Sequence, residues 1–462
     1  MTLSPSRNPS IFSRNSSILK TLLGLAAFLL CASLAFSQTF TTLKNLHGST
    51  GTYPAGSLAQ TRSGDLCGRT SEKGANGYGT LFCINPGGTF VGILNLTSTF
   101  EQPALGPDGA LYGVNSAPPN GSVYRLASDG TIATLHAFSG TDGSLPTGVL
   151  VLGLDGNLYG VTQNGGTTNQ GTIFKIALDG TFATLYSFGG TGPSAYPSGL
   201  TLGLDGNFYG TTDNGETGDV YGTVFRISPG GKLTTLYKFT DYPEYPTESG
   251  LTLGNDGDFY GTTAFGGINN SGSIYQITPT GSFSTFYSFT GPDGATAYTA
   301  PVIGNDGNFY GVTYGGGTLG GYGTIYRLTP TGVLITLHSF AGTDGGNPYG
   351  LTQHTNGAFY GTTAVGGLYG GDSGTIYSLA SDLPPFVSLL PKFGRAGGNV
   401  EFLGQGFTGT TGVLFNGIAA TSFHVVSDTF MTAVVPTGAT TGPVTVTTPS
   451  GTLTSNVNFI VR

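Results

Sequence analysis

The chain has 462 residues, with 16 Lys and Arg against 24 Asp and Glu, a net charge of −8 and only 9% charged residues. Charge this sparse, with no basic stripe, excludes the usual footprint of nucleic-acid binding. Gly supplies 81 residues and aromatics 12%, with no Trp, a composition that suits a turn-rich β protein with ample apolar core.

Residues 1–37 read as a secretory signal peptide. Arg7, Arg14 and Lys20 precede the apolar run Leu22–Leu30, and Ala35-Phe36-Ser37 offers small residues before Gln38. The competing reading is an N-terminal membrane anchor, but the run is short for a span of roughly 20 residues. Removing the segment leaves 13 basic against 24 acidic residues, net −11, and no later stretch long enough to span. A secreted or cell-surface protein is expected, without a membrane span once the signal is gone.

From residue 38 onward one phrase returns seven times. Its clearest copies are Asp155–Gly160, Asp205–Gly210 and Asp306–Gly311 (Asp-Gly-Asn-Leu/Phe-Tyr-Gly). Asp108–Gly113, Asp256–Gly261 and Asn356–Gly361 are close variants, and Ser63–Gly68 is a worn first copy. The tyrosines at 112, 159, 209, 260, 310 and 360 recur at spacings of 47, 50, 51, 50 and 50, with Cys67 lying 45 before Tyr112. A fixed period near 50 marks one supersecondary unit copied along the chain.

One unit, Ser198 to Phe239, reads as four strands. Gly199–Leu202 leads through Leu204-Asp-Gly-Asn207 into Phe208–Thr212; a Gly-rich loop leads to Gly222–Ile227, and Ser228-Pro-Gly-Gly231 to Leu233–Phe239. Alternating β-branched and aromatic residues between such turns predict an antiparallel meander. The mature chain opens with a strand of the fourth type, residues 40–46, and the last repeat ends after its third, near Leu379. Pairing the two ends leaves no open sheet edge. An all-β fold follows: a seven-bladed β-propeller of four-stranded blades over 38–381, closed by the N-terminal strand.

Cys67 and Cys83 fall in neighbouring strands of the first repeat. Export predicts a disulfide between them; two reduced core thiols are the alternative, since Cys67 replaces a buried Tyr of other copies. The tight turns after strands one and three share one face of the ring, and the longer loops after strands two and four share the other. Binding favours long loops on a rigid frame. Tyr196, Tyr221, Tyr245, Tyr298, Tyr322 and Tyr349 on that face are candidate contacts for a glycan or a protein partner, against the plainer reading that they pack over their own blades.

Asp213, Glu216, Asp219, Asp241, Glu244 and Glu248 crowd two loops of the same face. They suit a solvated acidic loop, a Ca²⁺ site of hard oxygen ligands, or an acid–base pair on a glycosidic bond. No other cofactor is indicated. The Asp-Gly-Asn segments are hairpin turns rather than metal ligands, and the five histidines lack ligand spacing. His136 and His338 take the strand position of Tyr186.

Asp382-Leu-Pro-Pro385 is a linker, and from Phe386 the repeat is gone. Leu390-Pro391, Gly397–Phe407, Val413–Gly417, Thr432–Pro436 and Gly442–Thr447 resemble, in order, the Pro, GG, GxxF, V-F-NG, VP and G-V-V elements of an IPT/TIG domain. That resemblance implies an immunoglobulin-like sandwich over 386–462 in an accessory or spacing role. The repeats themselves resemble the choice-of-anchor tandem-repeat proteins of GloVer type, secreted bacterial proteins built on DGN-[FL]-YG and GT-[IV]-[FY]-[KR]-[IL] phrases. The resemblance implies an extracellular setting and carries no activity with it. The residues therefore point to an exported, non-enzymatic binding or interaction protein, with a secreted glycan-cleaving enzyme or a structural surface component as alternatives.

Overall fold

A computed structural model describes residues 38–189, 196–213, 221–240 and 250–462. Among them, seven four-stranded antiparallel sheets follow one another around a ring. We number the blades 1 to 7 from the first strands Thr52–Gln60, Ala104–Leu105, Ser144–Leu152, Pro197–Leu202, Thr252–Leu253, Val302–Ile303 and Gly346–Gln353. In each blade the first strand lies nearest the axis and the fourth is outermost. Blade 7 takes its fourth strand, Thr39–Asn45, from the other end of the chain: Thr39 pairs with Ala380 and Asn45 with Thr375. Phe40 of that strand stacks on His338 of blade 6, ring centroids 3.8 Å apart. His136 makes the same contact with Phe182, at 3.7 Å. The two histidines thus join adjacent outer strands, and each also meets an Asp of the loop entering the next blade, Asp344 at 2.9 Å and Asp142 at 3.0 Å.

The repeated Asp-Gly-Asn-Phe-Tyr-Gly phrase is a joint between blades. In Asp205–Gly210, Asp205 accepts the Asn207 N–H at 3.0 Å and the Tyr209 hydroxyl at 3.0 Å. The Tyr209 ring then stacks on Phe259 of the next blade, at 3.9 Å. Tyr159 on Phe208 and Tyr310 on Phe359 repeat the stack at 4.0 and 4.2 Å. The Gly after each Tyr gives the room this needs: a Cβ on Gly311 would fall 2.3 Å from the Tyr326 hydroxyl of the neighbouring strand. The turn reading therefore accounts for only part of the recurring Asp, because its carboxylate also anchors the inter-blade tyrosine.

Blade 1 departs from this scheme. Cys67 stands in the tyrosine's place and is disulfide-bonded to Cys83, its cross-strand partner. Without the ring, a cleft of about 900 Å³ opens between blades 1 and 2, lined by Cys67, Leu111, Val91 and Ile93 among others.

Residues 386–462 form two four-stranded sheets around a separate core, in which Val400, Phe402 and Met431 of one sheet face Val413, Phe415 and Val446 of the other. The unit lies against the tight-turn face of the ring rather than away from it. Arg62, in the first turn of blade 1, pairs with Glu401 and donates to the carbonyls of Pro107 and Asp108 at 3.0 and 3.1 Å. Its guanidinium also covers the Phe430 ring at 4.6 Å. Gln405 donates to Thr355 at 3.1 Å, and Arg462 to the Leu204 carbonyl at 3.0 Å. These contacts seat the unit on several blades.

Two tests follow from these joints. Tyr209 is fully buried, so Tyr209→Ala is expected to cost about 3–5 kcal/mol in denaturant unfolding, and Tyr209→Phe, which removes only the carboxylate hydrogen bond, about 1–3. His354, also fully buried, donates from Nε2 to the Gly64 carbonyl at 2.9 Å, and its Nδ1 accepts the Asn356 N–H at 3.1 Å. Burial holds its pKa below the ordinary value of 6.5. Below that value the unfolded chain takes up a proton that the folded ring refuses, so its contribution is intact above 6.5 and is lost as pH falls. Thermal midpoints measured between about pH 7 and pH 5 should drop, and His354→Asn should flatten that part of the slope.

Candidate functional site

Six of the seven blades hold their long loops with a pair of buried hydroxyls, and in blade 2 Asn115 donates to Ser98 instead. Thr162 and Thr172, Thr313 and Thr324, and Thr363 and Thr375 bond to one another at 2.8–2.9 Å between the end of the second strand and the start of the third. Thr324 also donates to the Asp293 carbonyl at 3.1 Å, in the loop entering blade 6. That loop then passes through Thr296 and the loop of blade 7 through Asn347, both at positive φ (57° and 54°). These residues are tied by backbone bonds to Ser271 and Tyr322 at 2.9 and 2.8 Å. The fixed backbone brings Tyr298 and Tyr349, a few residues on, to the axis.

A cavity of about 840 Å³ opens there on the loop face, walled by residues of all seven blades. Tyr298, Tyr349, Tyr221 and Phe265 supply its aromatic groups from blades 4 to 7, Arg69, Glu101 and Gln102 a polar patch from blades 1 and 2, and Asp213 a carboxylate from blade 4. Tyr298 and Tyr349 lie nearly parallel with centroids 6.1 Å apart, and Tyr314 sits edge-on to both at 5.2 and 5.5 Å. Behind them Tyr53 has its phenol pKa raised by burial and by a hydrogen bond to Tyr314. On the polar wall Arg69 pairs with Glu101 at 2.9 Å, with side chains 13% and 22% exposed. Gln102 accepts the Ser57 N–H at 2.7 Å.

Of the six candidate tyrosines, Tyr221, Tyr298 and Tyr349 line this cavity. Tyr196 and Tyr322 are exposed at 38% and 41% away from it, and Tyr245 lies outside the described residues. Asp213 is on the cavity wall; Glu216, Asp219, Asp241, Glu244 and Glu248 lie outside the described residues. Among the described residues there is no group of three or more His, Cys, Asp or Glu placed to hold a metal. Sequence reasoning missed Arg69, Glu101, Gln102, Tyr53 and Tyr314. Arg69 and Glu101 carried a signal, since every other repeat holds an uncharged residue at those positions, and Gln102 replaces small or β-branched ones.

The architecture has known counterparts. The chain is similar to virginiamycin B lyase from Staphylococcus aureus, at 20% identity over 74% of this chain and 99% of that one, with a TM-score of 0.54. It is also similar to oligogalacturonate lyase from Vibrio parahaemolyticus (12% identity, 74% and 96% covered, TM-score 0.51). A third likeness is to the extracellular domain of the hybrid two component system BT3049 from B. thetaiotaomicron (12% identity, 92% and 58% covered, TM-score 0.52). At such identities the likeness is one of fold alone. No curated protein matches the chain in sequence. Residues 99–301 and 248–420, by contrast, match the Gloeobacter/Verrucomicrobia repeat. With the repeated inter-blade joint running through most of that stretch, the chain belongs to the Gloeobacter/Verrucomicrobia repeat family.

Proposed function

We propose that this is an exported bacterial binding protein whose axial cavity takes a glycan, the ring being braced from behind by an immunoglobulin-like domain of IPT/TIG type. The single observation that carries the reading is the composition of the cavity wall, in which Tyr298, Tyr349 and Tyr221 stand together with the hydrogen-bonding groups Arg69, Glu101 and Gln102. Tyrosine rings accept the C–H faces of a sugar, and a few convergent polar groups orient its hydroxyls. Export is supported by the charged and apolar pattern of residues 1–37 and by the Cys67–Cys83 bond. Bound Ca²⁺ remains a proposal in which Asp213 is the described member.

A second reading has one observation in its favour: Glu101 and Asp213 line the same cavity, so a glycosidic bond held there would lie among carboxylates. Release of new reducing ends by the purified protein would establish that reading and displace binding alone.

The test of the first is calorimetry of the full mature chain against soluble oligosaccharides. Tyr298→Ala and Tyr349→Ala should each weaken binding about tenfold, or about 1.4 kcal/mol, with little change in thermal midpoint. Failure of the wild-type chain to bind any glycan would overturn it.

A further inference from the structure

Three residues of the cavity wall break the repeat at the same place. Arg69 follows the Gly that ends the repeated phrase, where the other six blades carry Val114, Val161, Thr211, Thr262, Val312 and Thr362. Glu101 stands five residues before Gly106; in blades 1, 3, 4 and 6 the matching residues are Gly56, Gly148, Ser198 and Thr299. Gln102 stands where those blades carry Ser57, Val149, Gly199 and Ala300. In a chain with 9% charged residues, a charged pair placed on the axis is a local choice that the fold does not require. At the Arg69 position the other six blades hold the same backbone with Val or Thr, and at the Glu101 position blade 7 carries Tyr349 of the same wall, so the cavity is differentiated at these positions.

The pair is mostly withdrawn from solvent and already matched. Arg69 Nη2 donates to Glu101 at 2.9 Å and Nη1 to Ser71 at 3.2 Å. Its Nε is buried and donates to nothing among the described residues. The wall thus offers a donor and an acceptor side by side, with the cation's charge neutralised by Glu101. Adjacent hydroxyls of a sugar ring each donate and accept, and fit such a pair without disturbing it. An acidic sugar fits badly. It would have to compete with Glu101 for Arg69, setting its carboxylate beside that of Glu101, in a cavity that Asp213 also lines.

We propose that Arg69, Glu101 and Gln102 select a neutral hydroxyl-bearing sugar ring over an acidic one in the axial cavity. The proposal rests on the glycan-binding reading and names the class of glycan.

Three matched pairs of oligosaccharides test it with the full mature chain. They are cellohexaose and its C6-oxidised form, galactohexaose and hexagalacturonate, and xylohexaose with and without glucuronosyl substituents. The neutral member of at least one pair should bind about tenfold tighter than its acidic partner. Glu101→Gln, which frees the charge of Arg69, should narrow or reverse that preference; a merely structural role for Glu101 would weaken both members alike. If E101Q does not fold, the double variant Arg69→Val with Glu101→Ser installs residues that other blades carry, and it should fold and lose binding to both members. Tighter binding of the acidic members by the wild-type chain would overturn the selectivity and leave glycan binding standing. Unchanged binding by the double variant would overturn the role of these residues, and no binding to any member would overturn both proposals.

Discussion

The ring depends on one recurrent contact, in which a tyrosine belongs to two blades at once. Its hydroxyl is held by the aspartate of its own turn, as Tyr159 by Asp155 at 2.8 Å and Tyr260 by Asp256 at 2.7 Å. Its ring lies on the phenylalanine that precedes the next blade's tyrosine. The carboxylate bond and burial together push the Tyr209 phenol pKa up to about 12, so the contact stays protonated through the physiological range. An aromatic pair adds about 0.5–1.5 kcal/mol beyond its burial and a hydrogen bond to a charged group about 1.5–3 kcal/mol, and the ring repeats such contacts from blade to blade. Blade 1, with Cys67 in the tyrosine's place, relies on a covalent bond within the blade, and a cleft opens at its seam with blade 2.

Rigid seams have a consequence for the two faces. On the tight-turn face, Arg62 gathers Glu401, two carbonyls of blade 2 and the Phe430 ring around one guanidinium. Burial raises the Glu401 carboxyl pKa and Arg62 works against that shift, the signature of a charge admitted to an interface only because a partner meets it. On the loop face, paired threonines hold the long loops to the blades. Variation is thereby confined to loop tips and to the few wall positions that point at the axis.

Those wall positions explain how specificity can sit on a nearly uniform scaffold. The first strands leave small residues along most of the cavity, as at Gly148, Gly199 and Ala300, and larger side chains at a few places fill it unevenly. Tyr298 and Tyr349 reach it from blades 6 and 7, Arg69 and Glu101 from blades 1 and 2. Aromatic rings and polar groups therefore line one cavity, a combination suited to a ligand with an apolar face and hydrogen-bonding edges.

The sequence by itself determined the period, the four strands of each unit and the closure by residues 40–46, because those follow from local alternation and turn chemistry copied seven times. It also marked Cys67 as the odd member of the tyrosine series. It did not disclose the double duty of Asp205 or Asp306, since a turn aspartate and an anchoring aspartate look the same until the tyrosine's position is known. The site was legible only in part: Tyr298 and Tyr349 were found as loop aromatics, but Tyr196 and Tyr322 share that description and lie away from the axis. Arg69 and Glu101 are 32 residues apart and unremarkable singly; only the folding of blades 1 and 2 against each other brings them to 2.9 Å. The docking of the C-terminal unit was likewise a tertiary decision, because it turns on single side chains such as Arg62 that no periodicity announces. Repetition writes the frame into the chain many times over, whereas each functional contact is written once and acquires meaning only from what the frame places beside it.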